Sequence, residues 1–184
     1  MTRAHRLFWV DLETTGLDLA DDYLLEVAVV ITGGDLDELW HDSWVVQPPD
    51  NGWKARLDGN AFVYELHERN GLVADLEGGK GVPVAHVSDE ISDALPRLGA
   101  DGAVVAGSSV RFDRAVLDRD LPKVAEQLHY RTVDVSSLKE LCRMWQPTTM
   151  EDATPVEAKT HRALDDIRAS IEELRTYRRA LFGG

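Results

Sequence analysis

Cysteine is almost missing from this chain: Cys142 stands alone among 184 residues. A lone thiol cannot close an internal disulfide, so the chain does not read as a disulfide-stapled secreted scaffold, and a reducing cytoplasmic setting is expected. Leu141 and Met144 beside it suggest a packed helix, with no partner that would make the thiol a nucleophile. Basic residues are also scarce. Lys and Arg number 20 against 33 Asp and Glu, a formal net charge of −13. That balance argues against unaided binding of long nucleic acid, which rests on many Lys and Arg contacts that release counterions. An acidic protein can still handle nucleic acid if metals carry the charge and the substrate has few phosphates. Long apolar runs are missing too. No segment approaches the roughly 18 apolar residues of a membrane helix. The apolar run after Arg3 and Arg6 stops at Asp11 without a small-residue cleavage site, so no secretory signal is read. A soluble, intracellular protein with no membrane contact is the expectation. With 43% hydrophobic and 29% charged residues, the chain suits one folded domain over residues 1–184.

What is present is most concentrated in Leu7-Phe8-Trp9-Val10-Asp11-Leu12-Glu13-Thr14-Thr15-Gly16-Leu17. Four apolar residues in a row suit a strand covered on both faces. Side chains alternate across a strand, so Asp11 and Glu13 share a face, with Cα atoms roughly 6.6 Å apart. Two carboxylates so placed repel each other unless a cation lies between them. Hard divalent ions with oxygen ligands, Mg²⁺ or Mn²⁺, are the natural occupants. A strand end emerging into solvent would also carry acids, so the pair needs further ligands from elsewhere in the chain.

Two more strands are expected at 24–31 and 39–47, giving an antiparallel meander from the acid-bearing strand. Residues 48–60 read as a polar loop, 61–70 as a short helix, and 75–83, with three glycines, as a flexible loop. Ser88 is expected to cap a helix whose Ile91, Leu95 and Leu98 face inward, with Pro96 obscuring its end. Ala103 to Gly107 is a short buried strand. Helices are expected at 111–118, 122–128 and 138–145, and a strand at 131–135. Residues 146–159 read as a polar loop. The last helix is the clearest: Leu164, Ile167, Ile171, Leu174 and Leu181 keep helical spacing, with Arg175, Arg178 and Arg179 toward its carboxyl end. A meander followed by alternating helices and strands predicts an α/β sandwich around a mixed sheet.

Further acids lie late in the chain. Asp113 follows a strand, a glycine and two serines near a helix start, where it suits either a metal or the helix dipole. His161 and Asp166 are five residues apart. On one continuous helix they would diverge by about 140°. They meet only if His161 lies in the loop before the helix. A histidine there, with an unperturbed pKa near neutrality, suits general-base work. Asp165 competes with Asp166, and spacing does not choose between them. Four acids and a histidine satisfy two-metal phosphodiester hydrolysis, with ions about 3.5–4 Å apart straddling the scissile phosphate.

The ordered set Asp11-x-Glu13-Thr-Thr-Gly, Asp113 and His161-x-x-x-x-Asp166 resembles the DEDDh group of 3′→5′ exonucleases. The resemblance selects Asp166 over Asp165. His129 to Leu141, Thr160 to Ile167 and Tyr177-Arg178-Arg179 resemble oligoribonucleases in particular. That likeness spans nearly the whole chain. It implies an RNase H-like mixed five-stranded sheet flanked by helices, two divalent ions, and a homodimer that degrades very short single-stranded RNA to mononucleotides. It also implies roles for single residues. Leu17 matches a wedge between two bases, Phe62 an aromatic stacking position usually held by Trp, and His67 a substrate-contacting histidine. Ser109, Arg131, Ser136 and Ser137 match a cap on the substrate's 5′ phosphate, and Tyr130 a tyrosine that reaches the partner's site. A cap of this kind selects length without a basic groove, which answers the objection from net charge. The chain departs from the oligoribonuclease pattern at Thr14, usually Met, at Gly107-Ser108-Ser109, usually Gly-Asn-Ser, and in the 146–159 loop. Two rival functions follow: a DEDDh exonuclease acting on longer RNA or single-stranded DNA, and a non-catalytic binding module that keeps the fold.

Overall fold

The computed structural model describes residues 5–145 and 161–182. Its centre is β1 (Arg6–Thr14), paired antiparallel with β2 (Leu24–Gly33), which pairs antiparallel with β3 (Glu38–Gln47). On the other side of β1 run β5 (Val104–Gly107) and then β6 (His129–Asp134), both parallel to their neighbours. A two-residue strand β4 (Val82–Pro83) joins the β3 edge, giving the order β4-β3-β2-β1-β5-β6. The sheet is mixed, as expected, but has six strands. The sixth is this short segment, inside residues expected to form a flexible loop.

Alternation along β1 divides the core. Phe8, Val10 and Leu12 point to one face with Val27, Val29 and Ile31. They pack on α4 (Val84–Arg97), α5 (Arg111–Asp120) and α6 (Pro122–Ala125) through Ile91, Leu95, Val116, Leu117 and Val124. Trp9, Ala28, Val30 and Ala106 point to the other face. There they meet α7 (Val135–Trp145), with buried Cys142, and α8 (Ala163–Phe182), with Ile167, Ile171 and Tyr177. The Trp9 indole N–H is satisfied inside the core by Thr32 Oγ1 at 3.0 Å. Asp11 and Glu13 share the parity of Trp9, so they lie on the side covered by α8.

Some elements differ from their sequence-based bounds. Within the expected loop 48–60 lies α1 (Gly52–Asp58), which buries Trp53 and Leu57. These pack with Leu25, Leu72, Val73 and Leu76 in a third cluster under α2 (Ala61–Arg69) and α3 (Leu72–Glu77). One i, i+4 apolar pair in a polar stretch gives little periodicity, and tertiary contact supplies the rest. The fourth helix starts at Val84 with Pro83 at its N-cap, not at Ser88. Proline fixes φ for a helix start without a side-chain cap. Its Pro96 sits in the last turn, and Leu98 follows the helix at the core edge. β6 begins at His129, α6 is shorter than expected, and α7 begins at Val135, placing Ser136 and Ser137 in its first turn. The loop expected at 146–159 lies outside the described residues. Among the described residues, no helix is long and apolar enough to cross a membrane.

Candidate active site

The site forms where β1 outruns its parallel neighbour. β5 pairs with β1 only at Leu7, Phe8 and Trp9, so the β1 edge beyond is open. Gly107 ends β5 in tight quarters: a Cβ there would come within 3.0 Å of the Val10 carbonyl oxygen. The chain then turns into α5, whose first turn carries Asp113 back to the open edge. Asp113 Oδ1 accepts the Leu12 amide at 3.1 Å, taking the place of the missing strand. Asp166, in the first turn of α8, approaches from the opposite face. Oxygen atoms of Asp11, Glu13 and Asp166 lie within 4.8 Å of one another. Asp165 is exposed and outside this group, whereas Asp166 is buried. Asp113 borders the three-carboxylate group without joining it.

Electrostatics show what this arrangement requires. The Glu13 carboxyl is pushed from its ordinary 4.5 up to about 8. Burial is the main cause, followed by the charges of Glu26, Asp166 and Asp113, against a smaller opposing effect of Arg162. A metal-free site therefore holds a proton where a cation would restore the charge balance. The donors are carboxylate oxygens alone, which suits a hard divalent ion. The residues fit such an ion.

His161 lies before α8, in the lead-in, with a left-handed φ of 53°. Its Nδ1 is 3.9 Å from Asp166 Oδ2, and the ring is partly exposed. A continuous helix would not allow that approach. His67 is different. It is 1% exposed, and its Nε2 donates to the Thr14 carbonyl at 2.9 Å, since a carbonyl only accepts. Its Nδ1 faces Glu13 Oε2 at 3.9 Å, and burial lowers its pKa. The ring braces the end of β1 beside Glu13, and its burial leaves it unexposed for the substrate contact expected of it.

Leu17 is 80% exposed at the tip of the turn after β1. Asp22 staples that turn: its carboxylate accepts from Thr15 Oγ1 at 2.7 Å and from the Asp18 amide at 2.8 Å. A side chain at Gly16 would meet this carboxylate at 2.5 Å. Phe62, on α2, is 75% exposed. Ser109 and Ser136 come together, with hydroxyls 3.1 Å apart. Asp134 arranges them by accepting both backbone amides, at 3.0 and 2.9 Å, and Ser109 adopts a φ of 58°. Ser137 is exposed in the same turn of α7. Tyr130 and Arg131 are exposed on the edge strand β6, with the guanidinium 5.3 Å from the tyrosine ring centre and the His129 ring stacked on its neighbour.

Sequence reasoning missed Glu26, Arg162, Asp134 and Asp22. Glu26 carried a signal, an acid inside the apolar run 24–31. It is 3% exposed and pairs in register with Glu13.

Comparison with known proteins adds a second kind of observation. The family profile described as exonuclease (RNase_T) matches residues 8–174. An oligoribonuclease of Cutibacterium acnes is 41% identical over 179 residues, covering 95% of this chain and 85% of that protein. One from Leifsonia xyli is 43% identical over 184 residues, covering 98% and 86%. The chain belongs to the oligoribonuclease family of exonucleases. It is a nuclease, a hydrolase acting as a 3′→5′ exonuclease. Among solved structures, Escherichia coli exonuclease I in complex with a dA16 oligonucleotide superimposes with a TM-score of 0.67 at 18% identity. Exonuclease I from Methylocaldum szegediense gives 0.68 at 20%. This chain is covered to 96% in both cases but spans 41% of the exonuclease I chains, so these two comparisons establish the shared RNase H-like fold.

Proposed function

We propose that the protein hydrolyses very short oligoribonucleotides from the 3′ end, dinucleotides included, to nucleoside 5′-monophosphates. The observation that carries this reading is the convergence of Asp11, Glu13 and Asp166, from two elements, with His161 beside them. The names of the relatives support RNA as the substrate. Asp11, Glu13, Asp113 and Asp166 would hold two Mg²⁺ or Mn²⁺ ions. When bound, such ions supply Lewis-acid charge that favours ionised water and offsets charge at the scissile phosphate. His161 accepts the proton of the attacking water. The new oxygen–phosphorus bond forms as the bond from phosphorus to the 3′ oxygen breaks. The departing oxygen is protonated to the 3′-hydroxyl of the shortened strand, and the proton held by His161 returns to solvent.

Leu17 and Phe62 offer exposed apolar surface for the two bases, and His67 supports the strand end that the substrate meets. Ser109, Arg131, Ser136 and Ser137 bind the 5′ phosphate, which stops longer strands. Tyr130 reaches the site of a second copy in a homodimer. The solitary buried Cys142 suits a reducing cytoplasm, and residues 1–184 act as one catalytic domain.

Incubation of a 5′-phosphorylated diribonucleotide with Mn²⁺, Mg²⁺ or EDTA, beside the matching DNA, tests the chemistry. Metal-dependent release of nucleoside 5′-monophosphate from RNA is expected. No cleavage of either substrate with any cation would contradict it and favour a binding module. Equal cleavage of the DNA would favour the broader exonuclease, whose usual form Thr14-Thr15 resembles where oligoribonucleases carry Met at the first position.

A further inference from the structure

Arg162 follows His161 in the chain and ties together four stretches of the fold. Its Nε lies 3.0 and 3.2 Å from the two Glu26 carboxylate oxygens, and Nη2 lies 2.8 Å from Oε1. Its Nη1 donates to Asp75 Oδ2 at 3.1 Å and to the Asn70 carbonyl at 3.4 Å. The guanidinium thus engages β2, α3 and the end of α2 at once. Two further bonds fix the backbone on either side of it. The Asn70 side-chain amide donates to the His161 carbonyl, and Glu26 Oε2 accepts the Ala163 amide at 3.3 Å. Ala163 opens α8, three residues before Asp166.

We propose that Arg162 is a positioning residue for the reaction: through Glu26, Asp75 and Asn70 it holds the His161 backbone and the first turn of α8 against the end of β1. An ion pair serving only to attach α8 to β2 would not also engage Asn70, whose carbonyl accepts from the guanidinium and whose side-chain amide donates to the His161 carbonyl. Here one of the contacts holds the carbonyl of His161, which adopts a left-handed φ that L residues seldom hold unless surrounding bonds enforce it. The anchor is also rigid: Glu26 sits in a strand that is buried along almost its whole length. Its carboxylate lies opposite Glu13, so the guanidinium also offsets a negative charge directly beside the three acids. Lysine cannot do the same, because one ammonium lacks the fork that spans Glu26 while reaching Asp75.

This inference rests on the exonuclease reading, and its test separates the two. Arg162→Lys, Arg162→Ala and Asn70→Asp are compared with the wild type in steady-state cleavage of a 5′-phosphorylated diribonucleotide with saturating Mn²⁺. Asn70→Asp keeps the side-chain oxygen that accepts the Leu72 amide but loses the donor to His161. For Arg162→Lys, kcat is expected to fall by about tenfold to a hundredfold with KM little changed, the range typical of groups that orient the residues of a site. Added guanidinium ion should restore part of the kcat of Arg162→Ala. If that variant does not fold, Asn70→Asp decides, with lower kcat at an unchanged melting temperature. Unchanged kcat in folded variants, or a rise in KM alone, would overturn the inference while the wild type remains active. An inactive wild type would remove the exonuclease reading, and the inference with it.

Discussion

Asp11 and Glu13 show how two residues can define a site that neither could form alone. Their strand spacing puts them on one face, and burial with neighbouring acids then holds the Glu13 proton up to about pH 8. Between 4.5 and 8 Glu13 is more protonated in the metal-free fold than in the unfolded chain, so its contribution to stability falls as pH rises through that window. Cation binding must expel that proton, so Mn²⁺ affinity should rise over the same window. Calorimetry at neutral pH, in buffers of different ionisation enthalpy, should show close to one proton released through Glu13 per site filled. Affinity independent of pH, with no proton released, would contradict this assignment. Asp11→Ala should lower turnover by about a thousandfold or more with the fold retained, since removing an essential catalytic member costs that order. Circular dichroism and turnover on the same preparation check both halves. The acids were legible in the sequence because carboxylates two apart on an apolar strand share a face, and Asp113, His161 and Asp166 follow in the order of a known pattern. Arg162 was not, since an arginine beside a histidine has no periodicity, and its partners are 87 to 136 positions away.

At the scale of elements, the long signals read well and the short ones did not. The meander, α8 and the placement of His161 ahead of that helix followed from alternation, helical spacing and one angular argument. α1 was read as loop because seven residues with two buried side chains carry almost no pattern. It is held by its contacts with β2 and α3. Leu57→Ala should therefore destabilise the protein by about 2–5 kcal/mol, the usual cost of a large cavity in a packed core. Chemical denaturation measures it, and a loss below about 0.5 kcal/mol would show that α1 is not packed as described. Ser109 and Ser136 were grouped by the family resemblance, but what holds them together was out of reach of sequence periodicity. It depends on one carboxylate, Asp134, collecting amides from two elements.

At the scale of the whole molecule, a net charge of −13 has to be reconciled with a polyanionic substrate. The proposed short substrate would resolve it by making few phosphate contacts. With one or two contacts on a single strand, KM for a diribonucleotide should rise only about threefold to sevenfold between 50 and 200 mM salt. A slope steep enough for six or more contacts would indicate an extended binding track instead. The expectation of RNA-length selection also belongs at this scale, because on the proposed reading the Leu17 turn, α2, the Ser109–Ser136 pair and a second copy would act together. The most direct measurement is cleavage of a 5′-phosphorylated diribonucleotide and a strand of about twenty nucleotides mixed in one reaction with Mn²⁺. A strong preference for the dinucleotide, per 3′ end, is predicted. Equal rates on the two would contradict the account.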